Sequence, residues 1–244
     1  MSKVAVIVAA AGKSERFGTD ERKTLAKVDG RPVFLRTLEK FINREDVCKT
    51  ILVVAPDDVE DFKQKFGPNL GFMGVALVTG GAERVESVEA GFKAVPEDAE
   101  LVAVHDAARP CVSDEMIDAV FAEAGRSGAA ILASPLVGTI KRATSEKVIE
   151  ETVPRENLYE AQTPQVFRRD IFEKAFAEKP EDLSRITDDA ALAEHLGIPV
   201  TIVESDRTNL KITTKSDVVL AAAIIKSRPT KAASKFGAFE EAQW

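Results

Sequence analysis

Val4-Ala5-Val6-Ile7-Val8-Ala9-Ala10-Ala11-Gly12-Lys13-Ser14-Glu15-Arg16 carries an apolar run straight into small residues, a glycine and a charged stretch. The run has no period-two alternation, so it predicts a strand covered on both faces, as in a parallel sheet. Where such a strand ends in Ala-Ala-Gly, successive backbone N–H groups can approach a ligand closely and form an anion cradle. It is neither a dinucleotide fingerprint nor a P-loop: there is no G-x-G-x-x-G, and Gly12-Lys13-Ser14 lacks the upstream glycine of the phosphate-binding motif.

The same pattern repeats outward. Apolar runs rich in Val, Ile, Leu and Ala stand at residues 51–54, 75–78, 101–104 and 129–133, and residues 32–41, 59–66, 85–95 and 116–124 between them carry helical spacing. Pro32 suits a first helical turn, and Ser113 before Asp114 and Glu115 reads as an N-cap with acids near the positive helix end. Strands alternating with helices predict an α/β fold with a doubly wound, mostly parallel sheet of Rossmann-like type. In such sheets ligands bind beyond the carboxyl ends of the strands, so chemistry is expected in the residues that follow each run. Residues 137–158 break the pattern with alternating polar and β-branched residues, which predicts an inserted β-arm. A projecting hairpin buries little against itself, and this points to packing on a partner and a homodimer. Sheet and helix then resume, with strand 166–167, helices near 171–177 and 188–196, strands 200–203 and 210–213, and a last helix after Lys215. The expected organisation is one domain over residues 1–226, with the arm at 137–158, and a tail at 227–244 without periodicity.

The 244-residue chain, 45% apolar, is long enough to bury one large core. Its net charge of −7 argues against nucleic acid and against membrane as partners, so a polyphosphate must be held by local cations acting against the overall field. Cys48 and Cys111 show neither metal spacing nor a disulfide framework, which fits a reducing cytoplasm. The apolar start breaks at once into charged residues and so is not read as a signal peptide, and no stretch approaches the ~20 apolar residues that span a bilayer. A cytoplasmic protein is expected.

Three clusters follow three of the apolar runs. In the first, Ala10, Ala11, Gly12, Lys13 and Ser14 form the cradle. Arg16 and Lys23 stand just beyond it, two fixed charges able to bracket a triphosphate and offset charge on departing pyrophosphate. In the second, Gly80-Gly81-Ala82-Glu83-Arg84, the glycines permit close contact with a flat base or a ribose, and Arg84 with Ser87 adds donors at a helix start, a simple strand-to-helix turn being the equal alternative. The third, His105-Asp106-Ala107-Ala108-Arg109-Pro110, sets an acid beside a base at the end of a buried strand. Asp106 there can ligate Mg²⁺, or another divalent cation, bridging phosphate oxygens. Arg109 can grip a second phosphate, the plain alternative being an Asp–Arg pair that closes the turn. His105 reads equally as structural or catalytic, and His195 as a residue meeting a helix dipole. Thr139, Arg155, Thr187 and Lys211 offer further donors that are far apart in sequence.

Taken in order, Ala9-Ala10-Ala11-Gly12 with Arg16, Gly80-Gly81 with Glu83-Arg84 and Ser87, His105 to Pro110, Gln162-Thr163-Pro164-Gln165, Ile186-Thr187-Asp188 and Asn209-Leu210-Lys211-Ile212-Thr213 make six motifs. Over residues 3–226 the chain resembles the 2-C-methyl-D-erythritol 4-phosphate cytidylyltransferases of the non-mevalonate isoprenoid pathway. The resemblance implies a nucleotidyltransferase fold and a homodimer in which each arm reaches toward the partner's site. It implies CTP and a small polyol phosphate as substrates. Arg16 and Lys23 would stabilise the attacked α-phosphate, the Gly12 loop would hold the triphosphate, and Gly81 and Ser87 would contact cytosine or ribose. Asp106, with Ala107 beside it, would lie near the sugar hydroxyls and the metal. Arg109, Thr187 and Lys211 would bind the acceptor phosphate, Lys211 counting with the catalytic group, joined by Thr139 and Arg155 of the partner's arm. The chain departs from the usual pattern in five places: Ser14 replaces a Gly, Phe17 a Met, Ala82 a polar residue and Asp189 a Glu, and Arg22-Lys23-Thr24-Leu25 replaces Pro-Lys-Gln and an aromatic. A ribitol-5-phosphate cytidylyltransferase is the nearest rival, although the Ala-Ala-Gly loop and Ala108 match the methylerythritol branch better. A non-catalytic nucleotide-binding protein is the rival from another class.

Overall fold

The strand β1 (Val4–Ala9) lies inside the sheet, and its residues feed two separate cores. Val4, Val6 and Val8 pack with Phe34, Leu38, Leu52 and Ile117, whereas Ala5 and Ile7 pack with Ile51, Val53, Val88 and Phe172. Burial on both faces is the reason the run shows no alternation. The structure is a computed structural model and describes residues 2–12, 17, 22–183 and 186–228. The tail expected after residue 227 therefore lies, from 229 onward, outside the described residues.

After β1 the chain makes a small hairpin of β2 (Lys27–Val28) and β3 (Arg31–Pro32). Its two-residue turn, Asp29-Gly30, has φ of 52° and 81°, the left-handed geometry that an Asp-Gly hairpin turn requires. There follow α1 (Val33–Leu38), β4 (Val47–Val54), α2 (Val59–Phe72), β5 (Val75–Thr79), α3 (Arg84–Phe92), β6 (Leu101–Asp106), α4 (Asp114–Ser127) and β7 (Ala129–Pro135). The hairpin β8 (Ile140–Ala143) and β9 (Ile149–Val153) comes next, then β10 (Tyr159–Arg168), α5 (Arg169–Ala177), α6 (Asp189–His195), β11 (Thr201–Glu204) and α7 (Lys215–Ser227). Seven strands form one sheet in the order β11-β7-β10-β6-β1-β4-β5. All its pairings are parallel except those of β10, which runs antiparallel to both β6 and β7. The expected α/β fold with a mostly parallel sheet is thus the fold observed, and Ser113 caps α4 by accepting from the Met116 amide at 3.2 Å.

Three local expectations are corrected. Pro32 does not enter the first turn: it is the extended residue before α1, with ψ 138°, because it pairs with Lys27 in the β2–β3 hairpin. The helix read as 59–66 continues past Pro68 to Phe72, and Leu70, 2% exposed, anchors that last turn in the core. Residues 210–213 are not a strand. Their backbone is tied elsewhere: the Ile212 amide donates to Ala108 at 2.8 Å and the Thr213 amide to Asp217 at 2.8 Å. The segment forms a crossing loop, and Lys211 projects from it toward β6.

The 137–158 segment projects as a hairpin that continues the β7–β10 ladder. Pro135 pairs with Tyr159, and the Leu136 amide donates to Leu158 at 3.1 Å. Val137, Val148 and Ile149 on it are about three-fifths exposed.

Candidate active site

A cavity of about 380 Å³ opens at the carboxyl ends of β1 and β6. Its floor is Ala9, Ala10, Ala11 and Gly12, one wall is Ala82, Glu83, Arg84 and Ser87, and the opposite wall is Asp106, Ala108, Lys211 and Thr213, with Lys23 and Thr24 at the side. The site lies where the chain turns from β1 to β4 on one side while β6 lies on the other, the switch point at which doubly wound sheets bind ligands. An added Cβ at Gly12 would meet nothing within 4 Å among the described residues.

Asp106 is the electrostatic centre. Its Oδ2 receives Lys211 Nζ at 2.8 Å and Arg109 Nε at 3.3 Å, and Arg84 Nη2 stands 4.0 Å from Oδ1. Burial alone would raise its pKa, but the cations of Lys211, Arg84 and Arg109 outweigh burial and hold the carboxyl far below the usual carboxylate range. Lys211, a third exposed, is thereby fixed with its ammonium on the cavity wall. Arg84 is pinned from the other direction by Asp189, in a fork of 2.8 and 2.7 Å. Burial would lower the Arg84 pKa, but the Asp189 and Asp106 carboxylates raise it instead, so the guanidinium is always charged.

His105 is fully buried and faces away from this chemistry. Its Nε2 lies 3.1 Å from the Arg109 carbonyl, which can only accept, so Nε2 carries the proton. Nδ1 then accepts from the Thr163 hydroxyl at 3.1 Å, and that hydroxyl in turn accepts from the Asp106 amide at 3.0 Å. The ring thus ties both ends of the Asp106–Arg109 turn to β10, which settles the open choice in favour of a structural histidine. Burial lowers its pKa from 6.5 to about 4. The unfolded chain takes up the proton first as pH falls, so this contribution to stability is whole above about 6.5 and is lost progressively down to about 4. Nitrogen-detected NMR, simplified by a chain with only two histidines, is expected to show His105 as the neutral Nε2–H form throughout about pH 5.5 to 8.

The glycines of the second cluster have a packing reason of their own. A Cβ on Gly80 would stand 2.6 Å from Ser87 Oγ, and one on Gly81 would collide with the side chain of Glu86. Their absent side chains let the loop lie against the start of α3, where the Gly81 amide donates to Ser87 at 3.1 Å. Glu86 folds back to accept from the amides of Ala82 and Glu83 at 2.9 and 3.0 Å. Glu86 was not singled out in the sequence, although Glu83-x-x-Glu86 at a helix start has capping-box spacing and would have revealed it.

Of the residues expected at the site, Ala10, Ala11, Gly12, Lys23, Arg84, Ser87, Asp106 and Lys211 line the cavity. Gly81 lies one residue outside its wall. Ala107 and Arg109 lie behind the wall: Ala107 accepts from the Thr37 hydroxyl at 2.9 Å, and Arg109, 5% exposed, gives Nη1 to the Asn209 carbonyl at 2.8 Å. The Asp–Arg pair that closes the turn is present, with Arg109 Nε 3.3 Å from Asp106 Oδ2. Thr187 is exposed just before α6, and Thr139 and Arg155 stand on the arm, where Arg155 donates to the Val137 carbonyl. None of these three lines the cavity of its own chain. Lys13, Ser14 and Arg16 lie outside the described residues, while Phe17 close by in sequence is buried against Val28, Val33 and Ile212. Among the described residues no three His, Cys, Asp or Glu side chains gather as a metal cage, so Asp106 offers at most one carboxylate to a cation.

A sequence model of the family described as 2-C-methyl-D-erythritol 4-phosphate cytidylyltransferase matches residues 4–227. A protein of that name from Rhodopirellula baltica is 41% identical over 236 residues, covering 92% of this chain and 95% of its own. Another, from Pelotomaculum thermopropionicum, is 41% identical over 238 residues, covering 97% and 100%. Among solved structures, the 2-C-methyl-D-erythritol 4-phosphate cytidylyltransferase of Thermus thermophilus superposes with a TM-score of 0.74 at 33% identity, covering 93% of this chain and all of its own.

Proposed function

The chain belongs to the 2-C-methyl-D-erythritol 4-phosphate cytidylyltransferase family, and from that premise we propose how its own residues carry the reaction. The protein is an enzyme that transfers the cytidylyl group of CTP to the phosphate of 2-C-methyl-D-erythritol 4-phosphate. An acceptor phosphate oxygen forms a bond to the α-phosphorus, the α–β bridging P–O bond breaks, and pyrophosphate leaves with the electron pair. The nucleophile is already an anionic oxygen and needs no strong base, so positioning and charge neutralisation supply most of the rate. The observation that carries this reading is the cation set of the cavity: in a chain of net charge −7, Lys23, Arg84 and Lys211 all stand on one wall or another of a single 380 Å³ space.

We assign Lys23, with Arg16, to the α-phosphate and Lys211 to the incoming acceptor phosphate. Ala10 to Ser14 hold the triphosphate, and Gly81, Arg84 and Ser87 hold the nucleoside. Asp106 orients Lys211 and meets the acceptor hydroxyls. Arg109 and Ala107 serve the acceptor side by fixing Asp106, and Thr187 borders it. A divalent cation, Mg²⁺ for choice, would be held by the Asp106 carboxylate together with the substrate's own phosphates. When bound it supplies charge neutralisation for departing pyrophosphate. The exposed Val137, Val148 and Ile149 support a homodimer built through the arms, each bringing Thr139 and Arg155 to the partner's cavity. The free thiols of Cys48 and Cys111 support a cytoplasmic setting.

Pyrophosphate release from CTP and Mg²⁺ tests the reading. It is expected with 2-C-methyl-D-erythritol 4-phosphate and not with ribitol 5-phosphate. Release with ribitol 5-phosphate alone would reassign the acceptor, and release with neither would end the enzymatic reading.

A further inference from the structure

We propose that Asp189 is a positioning residue for this reaction, acting through Arg84 to lock the nucleotide wall of the cavity to its acceptor side. The inference rests on the function proposed above. Asp189 is 2% exposed and absent from the cavity wall, so it cannot touch substrate. Its two carboxylate oxygens hold both terminal nitrogens of Arg84 at 2.8 and 2.7 Å, across 105 positions of sequence. A planar fork held at both ends has one orientation, which a single contact would not impose.

Asp189 is itself held. Gln165 on β10 accepts from the amides of Asp189 and Ala190, both at 2.9 Å, and donates from Nε2 to Asp188 at 2.8 Å. The other Asp188 oxygen caps α6 through the Ala191 amide at 3.1 Å. A rigid line therefore runs from the sheet through Gln165 and Asp189 to Arg84. It joins residues 186–189, on the acceptor side, to the loop at 80–84.

The position of Arg84 matters because a second carboxylate is near. Arg84 Nη2 is 4.0 Å from Asp106 Oδ1, and Lys211 Nζ is 2.8 Å from Asp106 Oδ2. Without the Asp189 fork, the guanidinium is free to close on Asp106, leaving the nucleotide wall and competing with Lys211 for its anchor. Asp189 keeps the two cations apart, one for each substrate.

The test is a double-mutant cycle with Asp189→Asn and Arg84→Lys, the second keeping the charge while removing the fork. CTP affinity is read by titration calorimetry, KM and kcat by pyrophosphate release, and folding by thermal unfolding. Each single variant is expected to weaken CTP binding and raise its KM about tenfold, with kcat changed less than about threefold, and the double variant is expected to be no worse than the poorer single. Unchanged CTP affinity in folded Asp189→Asn, or effects that multiply in the double variant, would overturn the inference. If Asp189→Asn does not fold, Arg84→Lys decides, since there the buried Asp189 carboxylate keeps a cation, and unchanged CTP affinity overturns the inference equally. Wild-type protein that binds CTP without turnover would sink the function reading alone, and wild-type protein that does not bind CTP would sink both.

Discussion

Lys23→Ala lowers kcat by about 10²-fold or more and leaves KM for CTP within a few-fold, the pattern of a group whose contact strengthens only as charge develops. The expectation comes from its place. Lys23 lines the cavity beside Thr24, whose carbonyl accepts from the Phe34 amide at 3.0 Å, so the lysine springs from backbone already tied to α1. As the α-phosphorus becomes five-coordinate, negative charge grows on its equatorial oxygens, and a preset ammonium stabilises it without rearrangement. Losing one such preset donor costs ~3 to 4 kcal/mol of transition-state stabilisation. Rapid-quench measurement of the first turnover checks it. A near-normal first turnover would remove Lys23 from the chemistry.

Asp106→Asn is expected to act on both catalysis and stability. The amide keeps the shape but withdraws the charge that gathers Lys211, Arg109 and Arg84. Arg109, with its side chain 6% exposed, is then left with no carboxylate, and breaking a buried pair in this way costs about 3 to 5 kcal/mol. Lys211 loses its 2.8 Å anchor, so kcat/KM is expected to fall by about 10²-fold. The pH dependence gives a signature of its own. Because the folded pKa is depressed, the Asp106 contribution is complete above the ordinary carboxylate pKa of 3.8 and is lost as pH falls from there toward the folded value. In denaturant unfolding the Asn variant is therefore expected to be less stable at pH 7, and to lose less stability than wild type on acidification below about pH 4. Equal stability at pH 7 would show that the three cations are compensated elsewhere.

The sheet was readable because burial on two faces leaves a mark in the residues themselves. Val4 to Val8 leave room for no polar position, and the same holds at 51–54 and 101–104. The cavity residues were readable because each follows such a run: Gly12 after β1, Arg84 after β5 and Asp106 at the end of β6. What the sequence hid are side chains that bond to backbone far away. Thr163 accepts from an amide 57 positions off, and Gln165 from one 24 positions off, and no local spacing encodes either. Leu210 to Thr213 misled for the opposite reason. The stretch alternates like a strand, with Ile212 buried between partly exposed neighbours, yet its amides are taken by Ala108 and Asp217 rather than by a ladder. For Arg109 the residue type left both a phosphate contact and a turn-closing pair open, and the folded chain shows its ties to Asp106 and to the Asn209 carbonyl.

The reversed direction of β10 has a further consequence. Its first residues lie at the same end of the sheet as the last residues of β6 and β7, so the chain between β7 and β10 leaves and returns beside the reaction chamber. An extension inserted there need not cross the sheet or disturb either core. Residues 137–158 occupy that place, so the arm can lengthen or shorten at the carboxyl ends of β6 and β7 while the seven-stranded sheet keeps its order.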